Sequence, residues 1–337
     1  MGEILRAALA IVLGVGGMVL YYWGTNWILD NFLRDRVDAE SGLTVSNANA
    51  RESIRPWLFI LPAVVLLTVY LLYPAIATLY FSFLGPDSDE FVGLENYEWA
   101  VGNDGFRTAV INNVAWIAIV PALSTAFGLI IAVLADRVRW EAVAKSLIFM
   151  PMAISFVGAS IIWRFVYAVR GPDQPQIGVL NELATTAGVD PISWVTEVPF
   201  NNFMLMIILI WIQTGFAMVV LSAALKSVPD ETLEAAKMDG ANEFQTFFRV
   251  MIPQIANTIA VVITTILITT LKVFDIVLVM TNGQFDTEVL GNYMFFWMFR
   301  GGGETGKASV IALTIMVATL PFLFYNIRRF RQEEKFR

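Results

Sequence analysis

The chain has 337 residues, of which 57% are hydrophobic and only 15% charged, against roughly 25% charged in an average soluble domain; such a composition belongs to an integral membrane protein. It contains no Cys and no His, which excludes disulfides, thiolate or imidazole metal ligands and His-based catalysis, and leaves the redox compartment open. The formal net charge of −7 is divided between two sides of a membrane and gives no sign of a nucleic-acid partner.

Apolar runs of the roughly 20 residues needed to cross a bilayer occur at Ala7–Leu29, Trp57–Phe83, Val110–Ala135, Leu147–Val169, Phe203–Leu225, Ile255–Met280 and Ala308–Ile327. They predict an all-α polytopic protein of about seven transmembrane helices, since the short alternating segments of a β-barrel are absent. The first run has the weakly basic start of a signal peptide in Met1–Arg6, but no small-residue cleavage site follows. Tyr21, Tyr22, Trp23 and Trp27 instead read as an interfacial aromatic anchor, so a retained helix is expected. Residues 38–53 read as a flexible linker. The expected organisation is therefore 1–55, an extra helix with its linker; 56–107, a span and an acidic external loop; 108–330, the core; and 331–337, a tail.

Basic residues mark the cytoplasmic side. The tail, with Arg328, Arg329, Arg331, Lys335 and Arg337, is placed there. Alternating backward, 30–55, 136–146 and 226–253 fall on the same side with ten Lys and Arg, against four in 84–109, 170–202 and 281–307. The outer segments are acidic, with Asp87, Asp89, Glu90, Glu95, Glu98 and Asp104 in the first.

Between two of the spans lies a polar stretch, 227–253. Pro229 with Asp230 and Glu231 suits a helix start, and Gly240 a left-handed stop. Asn242 with Gln245 suits a capping box for a second short helix reaching Pro253. Ala235 and Ala236 leave a smooth helix surface on which another protein's backbone can approach.

Ionisable groups within spans are costly, roughly 2.5–3.5 kcal/mol on insertion scales, and usually face a bundle interior or cavity. Lys272 and Asp275, three apart, would share a helix face; an internal ion pair and a lining of the substrate path are both open. Arg164 is read as a charge that snorkels outward. Asn112, Asn113, Trp116, Trp211, Gln213, Thr214, Asn292, Tyr293 and Trp297 mix amides with flat apolar rings. That mixture suits sugar binding, and equally helix packing or interfacial anchoring. Gly301–Ala308 resembles a phosphate-binding loop but lacks the final hydroxyl, follows no strand, and lies on the outer side in this topology; it is read as a turn. No catalytic constellation or metal cluster is evident.

The segment Glu234–Pro253, through Glu234, Ala235, Ala236, Asp239, Gly240, Ala241 and Pro253, resembles the EAA loop of inner-membrane permease subunits of bacterial ABC importers. Leu271–Gly283, Thr287–Leu290 and Gly306–Ser309 resemble the carbohydrate branch, the permeases similar to the larger membrane subunit of the maltose transporter; Asn282-Gly283-Gln284 departs from that branch's usual Gly-Gly-Gly-Pro. The extra N-terminal helix resembles α-glucoside permeases. The resemblance implies a type I importer transmembrane domain in a bacterial inner membrane and a heterodimer with a sister permease. It further implies two cytoplasmic ATPase subunits carrying ATP and Mg, and an external solute-binding protein delivering sugar. This chain would bind no cofactor or metal and would not itself be an enzyme. Glu234 to Gly240 would be the coupling helix. Asn113, Trp116, Gln213, Lys272, Asp275, Asn292 and Tyr293 are the residues for the substrate path or gate. A non-sugar solute, or an ion-coupled secondary transporter, are the alternatives.

Overall fold

A computed structural model of the chain describes residues 2–33, 36–37, 44–45, 48–171 and 174–334. Arg34, residues 38–43, 46 and 47 of the expected linker, and Lys335 to Arg337 of the expected tail lie outside the described residues. The chain divides into two units, residues 1–77 and 78–337.

In the first unit, α1 (Gly2–Phe32) exposes apolar side chains on nearly all sides, as a helix surrounded by lipid does. A two-residue ladder, β1 (Arg36–Val37) with β2 (Thr44–Val45), precedes α2 (Ala48–Leu67). Residues 48–53, expected in a flexible linker, thus open a helix. Pro62 in α2 has no N–H to give the carbonyl four residues earlier. Tyr21 supplies the missing donor: its hydroxyl bonds Leu58 O at 2.9 Å, and Tyr22 bonds Phe59 O at 3.0 Å while its ring stacks on Phe59. These tyrosines, expected as interfacial anchors, therefore satisfy carbonyls of a neighbouring helix. Asp30 closes the antiparallel hairpin at its other end, 3.0 Å from Arg55. A π-helical turn, Thr68–Leu72, leads into α3 (Tyr73–Phe81).

The second unit is built on two long helices, α5 (Asp104–Ala135), which follows the short α4 (Glu95–Gly102), and α9 (Phe200–Lys226). Asn112 meets Asn202, Gly128 meets Ala217, and Asp136 just past α5 meets Ser222. Contacts that advance together along both helices make the pair parallel. A Cβ on Gly128 would lie 2.5 Å from that of Ala217 and 2.8 Å from the backbone nitrogen of Met218, so only glycine permits this approach.

Parallel neighbours require the intervening chain to cross back, and it does so as a broken helix. α6 (Glu141–Phe149) begins where Lys145 touches Ser222. α7 (Phe156–Val166) ends beside Tyr167, whose hydroxyl bonds Met204 O at 2.9 Å. Met204 and Ser222 are 18 residues apart on α9, about 27 Å at 1.5 Å per residue. The expected continuous span Leu147–Val169 is thus corrected to two helices bent by 105°. A 3₁₀ turn at Met150–Ala153 carries Pro151, Ile154 is extended, and Ser155 caps α7 by accepting from Gly158 N.

A short α8 (Val179–Thr186) precedes α9. Beyond α9 come α10 (Asp230–Met238), α11 (Glu243–Thr246), a π turn at Phe247–Met251 and α12 (Ile252–Leu271). The expected span Ile255–Met280 ends at Leu271, and α13 (Asp275–Met280) is separate. Asn113 stabilises this stop by donating to Leu271 O at 3.3 Å. Lys272 and Asp275 consequently do not share a helix face, and no ion pair among the described residues joins them. After α14 (Leu290–Phe295) and a π turn at Phe296–Arg300, α15 (Thr305–Glu334) completes the unit. Among the described residues six helices are long and apolar enough to cross a membrane, seven with the broken pair. Trp116, Leu205, Met206, Ile208, Leu209, Ile212, Met218 and Ile266 form the core around α5 and α9.

Interhelical hydrogen bonds in membranes contribute about 0.6 kcal/mol on average and about 1.7 at most. Tyr21→Phe with Tyr22→Phe is expected to destabilise the α1–α2 hairpin by roughly this range for each bond. Detergent-unfolding midpoints of the variant and the wild-type chain measure it, and equal midpoints would refute the role assigned to the two hydroxyls.

Candidate functional site

The loop between α9 and α12 is rigid by local chemistry. Pro229 precedes α10, Asp230 and Glu231 fill its first turn, and Lys237 its last, each charge matching the dipole at its end. The helix ends in a Schellman motif. Ala241 N bonds Ala236 O and Gly240 N bonds Lys237 O, both at 3.0 Å, and Gly240 has φ of +80°. One residue later the capping box forms: Gln245 N donates to Asn242 Oδ1 at 2.8 Å, and Asn242 N to Gln245 Oε1 at 3.0 Å. Two helix ends are thus fixed within four residues of each other.

The expected second helix ending at Pro253 differs in detail. α11 passes through the π turn into α12, and Pro253 sits in the first turn of α12. The π turn widens the helix just ahead of a residue that lacks an N–H. Glu234, Ala235, Asp239, Gly240 and Pro253 are exposed, while Ala236 and Ala241 are half-buried. Met238 at 88% and Phe244 at 71% exposure, with the Phe248 ring tilted against Phe244, add an apolar patch that solvent alone does not favour. Behind the loop, a cavity of about 610 Å³ separates it from the ends of α5 and α9; its walls include Val133, Leu225, Leu233, Phe247 and Met251.

At the opposite end of α5 and α9, two asparagine doublets hold the segment between α13 and α14. Asn112 donates to the carbonyls of Asp286 (2.7 Å) and Glu288 (2.8 Å), and Asn201 to that of Phe285 (2.6 Å). Asn202 donates to Asn112 Oδ1 and accepts from Trp116 Nε1, both at 2.8 Å. The segment needs such holding: Asn282, Gly283, Phe285 and Asp286 all have positive φ between 55° and 78°, strain on the order of 1–3 kcal/mol per non-glycine residue. Asn113 accepts from Leu290 N at 2.7 Å. Tyr293 donates to Asn103 Oδ1 at 2.7 Å, and Asn292 to Glu288 Oε1 at 2.8 Å.

Of the seven residues expected on a substrate path, Asn113, Trp116, Asn292 and Tyr293 therefore spend polar groups inside the chain. Gln213 is buried one turn before Ala217, on the α9 face that meets α5, and makes no hydrogen bond among the described residues. Lys272 is exposed and Asp275 half-buried at the break between α12 and α13, beside Phe274, which packs on Phe295. Arg164 is exposed in the last turn of α7, where the helix dipole favours a cation. The look-alike phosphate loop is a packing element: Lys307 pairs with Glu304 at 2.6 Å, lies over the rings of Trp99 and Trp297, and is followed by fully buried Ala308. Asn201 and Asn202 escaped the sequence reading. Their doublet, repeating Asn112-Asn113 at the same end of a parallel helix, was the available signal.

Membrane-length helices around a polar loop held by a Schellman motif and a capping box define a polytopic helical membrane protein with a structured loop between two of its spans. Residues 124–331 match the family model of the binding-protein-dependent transport system inner membrane component, and the chain belongs to that family. It is 52% identical over 334 residues, 99% of both chains, to the alpha-glucoside transport system permease protein AglF of Rhizobium meliloti (strain 1021). It is 48% identical over 280 residues, 83% of this chain and 100% of the relative, to the osmoprotective compounds uptake permease protein GgtC of Synechocystis sp.. Its fold is similar to a chain of a bacterial ABC transporter involved in import of the acidic polysaccharide alginate. That likeness has a TM-score of 0.71 at 21% identity, over 84% of this chain and 99% of that one. The protein is thus a multi-pass inner-membrane permease subunit of an ABC importer, with ATP hydrolysis in a separate subunit and a binding protein as partner.

Burial raises the pKa of Glu288 above its ordinary 4.5, against the smaller opposing pull of hydrogen bonds from Asn292 and Val289 N. The folded chain therefore holds this proton more tightly than the unfolded one, and stability falls as pH rises from 4.5 through the raised value. Glu288→Gln is expected to remove that loss, so that thermal unfolding between about pH 5 and about pH 8 declines less steeply with pH than in the wild type. Parallel pH profiles would contradict the raising of this pKa by burial.

Proposed function

We propose that this chain is the permease of an importer for α-glucosides or related oligosaccharides, working as a heterodimer with a sister permease, two cytoplasmic ATPase subunits that bind ATP and Mg, and an external solute-binding protein. The observation that carries the proposal is the doubly clamped α10–α11 loop between two spans. A rigid, exposed, partly apolar element on an otherwise membrane-bound chain is suited to transmit force from a protein that binds it. In this reading Glu234, Ala235, Ala236, Asp239, Gly240 and Ala241 present α10 to a cleft of one ATPase, and Pro253 sets the start of α12. The excess of Lys and Arg on 136–146 and 226–253 supports a cytoplasmic loop and a cytoplasmic C-terminus.

The solute class rests on the R. meliloti relative, whose match spans 99% of this chain and so includes the N-terminal hairpin. For the path itself, Lys272, Asp275 and the ring of Phe274 are favoured, because they stand at a helix break and neither charged group pairs with another among the described residues. Broken helices are where membrane transporters commonly bind solute. Gln213, Asn292, Asn113, Trp116 and Tyr293 would act on the path indirectly, by holding its walls. The name of the Synechocystis relative supports a second reading, uptake of an osmoprotective solute.

Transport requires that ATP and the loaded binding protein favour the same outward-facing state. The complete complex in proteoliposomes, given ATP and its binding protein, is expected to take up an α-glucoside. Gly240→Pro, which cannot adopt φ of +80°, should reduce that uptake to background while the chain stays inserted. Normal uptake by the variant would sink the coupling role. Uptake driven by an ion gradient without ATP would replace the proposal with a secondary transporter, and uptake of an osmoprotective solute but no α-glucoside would transfer it to the second solute class.

A further inference from the structure

Where α5 and α9 end and α6 begins, the described residues gather a dense group of charges. Lys145 on α6, with its side chain only 17% exposed, touches Asp136 Oδ1 and Ser222 Oγ and lies 2.5 Å from Glu141 Oε1. Lys226, at the end of α9, touches the same Glu141 and lies 3.9 Å from Asp136. Next to Asp136, Arg137 reaches across to the coupling loop and bonds Glu243 Oε2 of α11 at 3.2 Å. Asp136, Arg137, Lys226 and Glu243 all border the 610 Å³ cavity. The loop therefore meets the bundle through a few apolar contacts, from Leu233, Phe247 and Met251, and through this ionic bridge, with empty space between.

Exposed ion pairs add little to stability, about 0–1 kcal/mol each, and replacing buried pairs by apolar side chains is often neutral or stabilising, so stability is a poor account of six charges converging on one joint. Geometry gives a better one. Of the helices joined there, α6 is the one with a break ahead of it: α5 and α9 run on as single long rods locked by Gly128 and Ala217, whereas α6 turns through 105° at Met150–Ser155 into α7. A displacement of the joint can therefore swing α6 about that break and leave the α5–α9 pair intact. Lys145 is the residue that fixes α6 to both rods.

We propose that Lys145 is a positioning residue for coupling: through Asp136, Glu141 and Ser222 it makes the broken span α6–α7 follow the coupling loop, so that movement at α10–α11 becomes movement at the helix break. The proposal rests on the coupling role of the loop given above and adds the element that moves. Charge and hydrogen bonding matter here, and the aliphatic stem alone would not serve.

The test uses the complete complex in proteoliposomes with ATP and solute-loaded binding protein, and reads solute moved per ATP hydrolysed. Lys145→Met is expected to lower that ratio about fivefold or more while the binding protein still stimulates ATP hydrolysis, and Lys145→Arg to restore it to within about twofold. An unchanged ratio in Lys145→Met, whether both rates persist or fall in proportion, overturns the proposal. If Lys145→Met does not assemble, Ser222→Ala, which removes one partner and strands no charge, decides: a lowered ratio supports the joint and a wild-type ratio overturns it. Gly240→Pro run alongside separates the two claims. Its loss of transport beside an unaffected Lys145→Met keeps the loop's role and removes that of Lys145.

Discussion

The close parallel contact of α5 with α9 governs the rest of the molecule. In lipid there is no hydrophobic gain in bringing two apolar helices together, and association depends on backbones that approach closely enough for dispersion and hydrogen bonding. Gly128 against Ala217 provides that approach. Parallel direction then forces the chain between them to cross the membrane, and the crossing is the broken pair α6–α7. It also brings the starts of both helices to one level and their ends to another. The asparagine doublets meet at the first level, and Asp136, Ser222 and Lys226 at the second.

Those two levels have opposite chemistry. At one, the amides of Asn112 and Asn201 satisfy the carbonyls of a strained segment while the Trp116 indole holds Asn202, which keeps an otherwise unfavourable backbone in place near the break between α12 and α13. At the other, paired charges connect helix ends to a loop whose own ends are fixed by a Schellman motif and a capping box. A loop with capped ends, a cavity behind it and a broken helix beside it adjoin one another at this level. The first unit follows the same rule on a small scale, with Tyr21 meeting the Leu58 carbonyl that Pro62 leaves without its helical donor and Tyr22 adding a second bond at Phe59 O.

The sequence made legible whatever depends on local chemistry. The stop at Gly240 and the reciprocal bonds of Asn242 and Gln245 follow from residues within a few positions of each other, and the structure forms both. Membrane spans were readable from apolar length alone. The breaks were harder, because hydropathy does not register them: Leu147–Val169 and Ile255–Met280 are each apolar throughout, yet one is interrupted by a 3₁₀ turn at Pro151 and the other is stopped at Leu271, where a side chain 158 residues away takes the carbonyl. Lys272 and Asp275 lost their shared face for that reason. Asn113, Trp116 and Tyr293 looked equally suited to sugar and to packing. Only their long-range partners show that their polar groups are already engaged within the chain.

The pivotal claim is that α6–α7 crosses the membrane and does not turn back within it. Because the chain is free of cysteine, Arg139→Cys ahead of the break and Val179→Cys beyond it can each be labelled singly with a membrane-impermeant maleimide in intact and in inverted vesicles. The crossing predicts that each thiol reacts in only one kind of vesicle, and that the two react in opposite kinds. Labelling of both from the same side would contradict it, and with it the parallel pairing of α5 and α9 on which the placement of the loop depends.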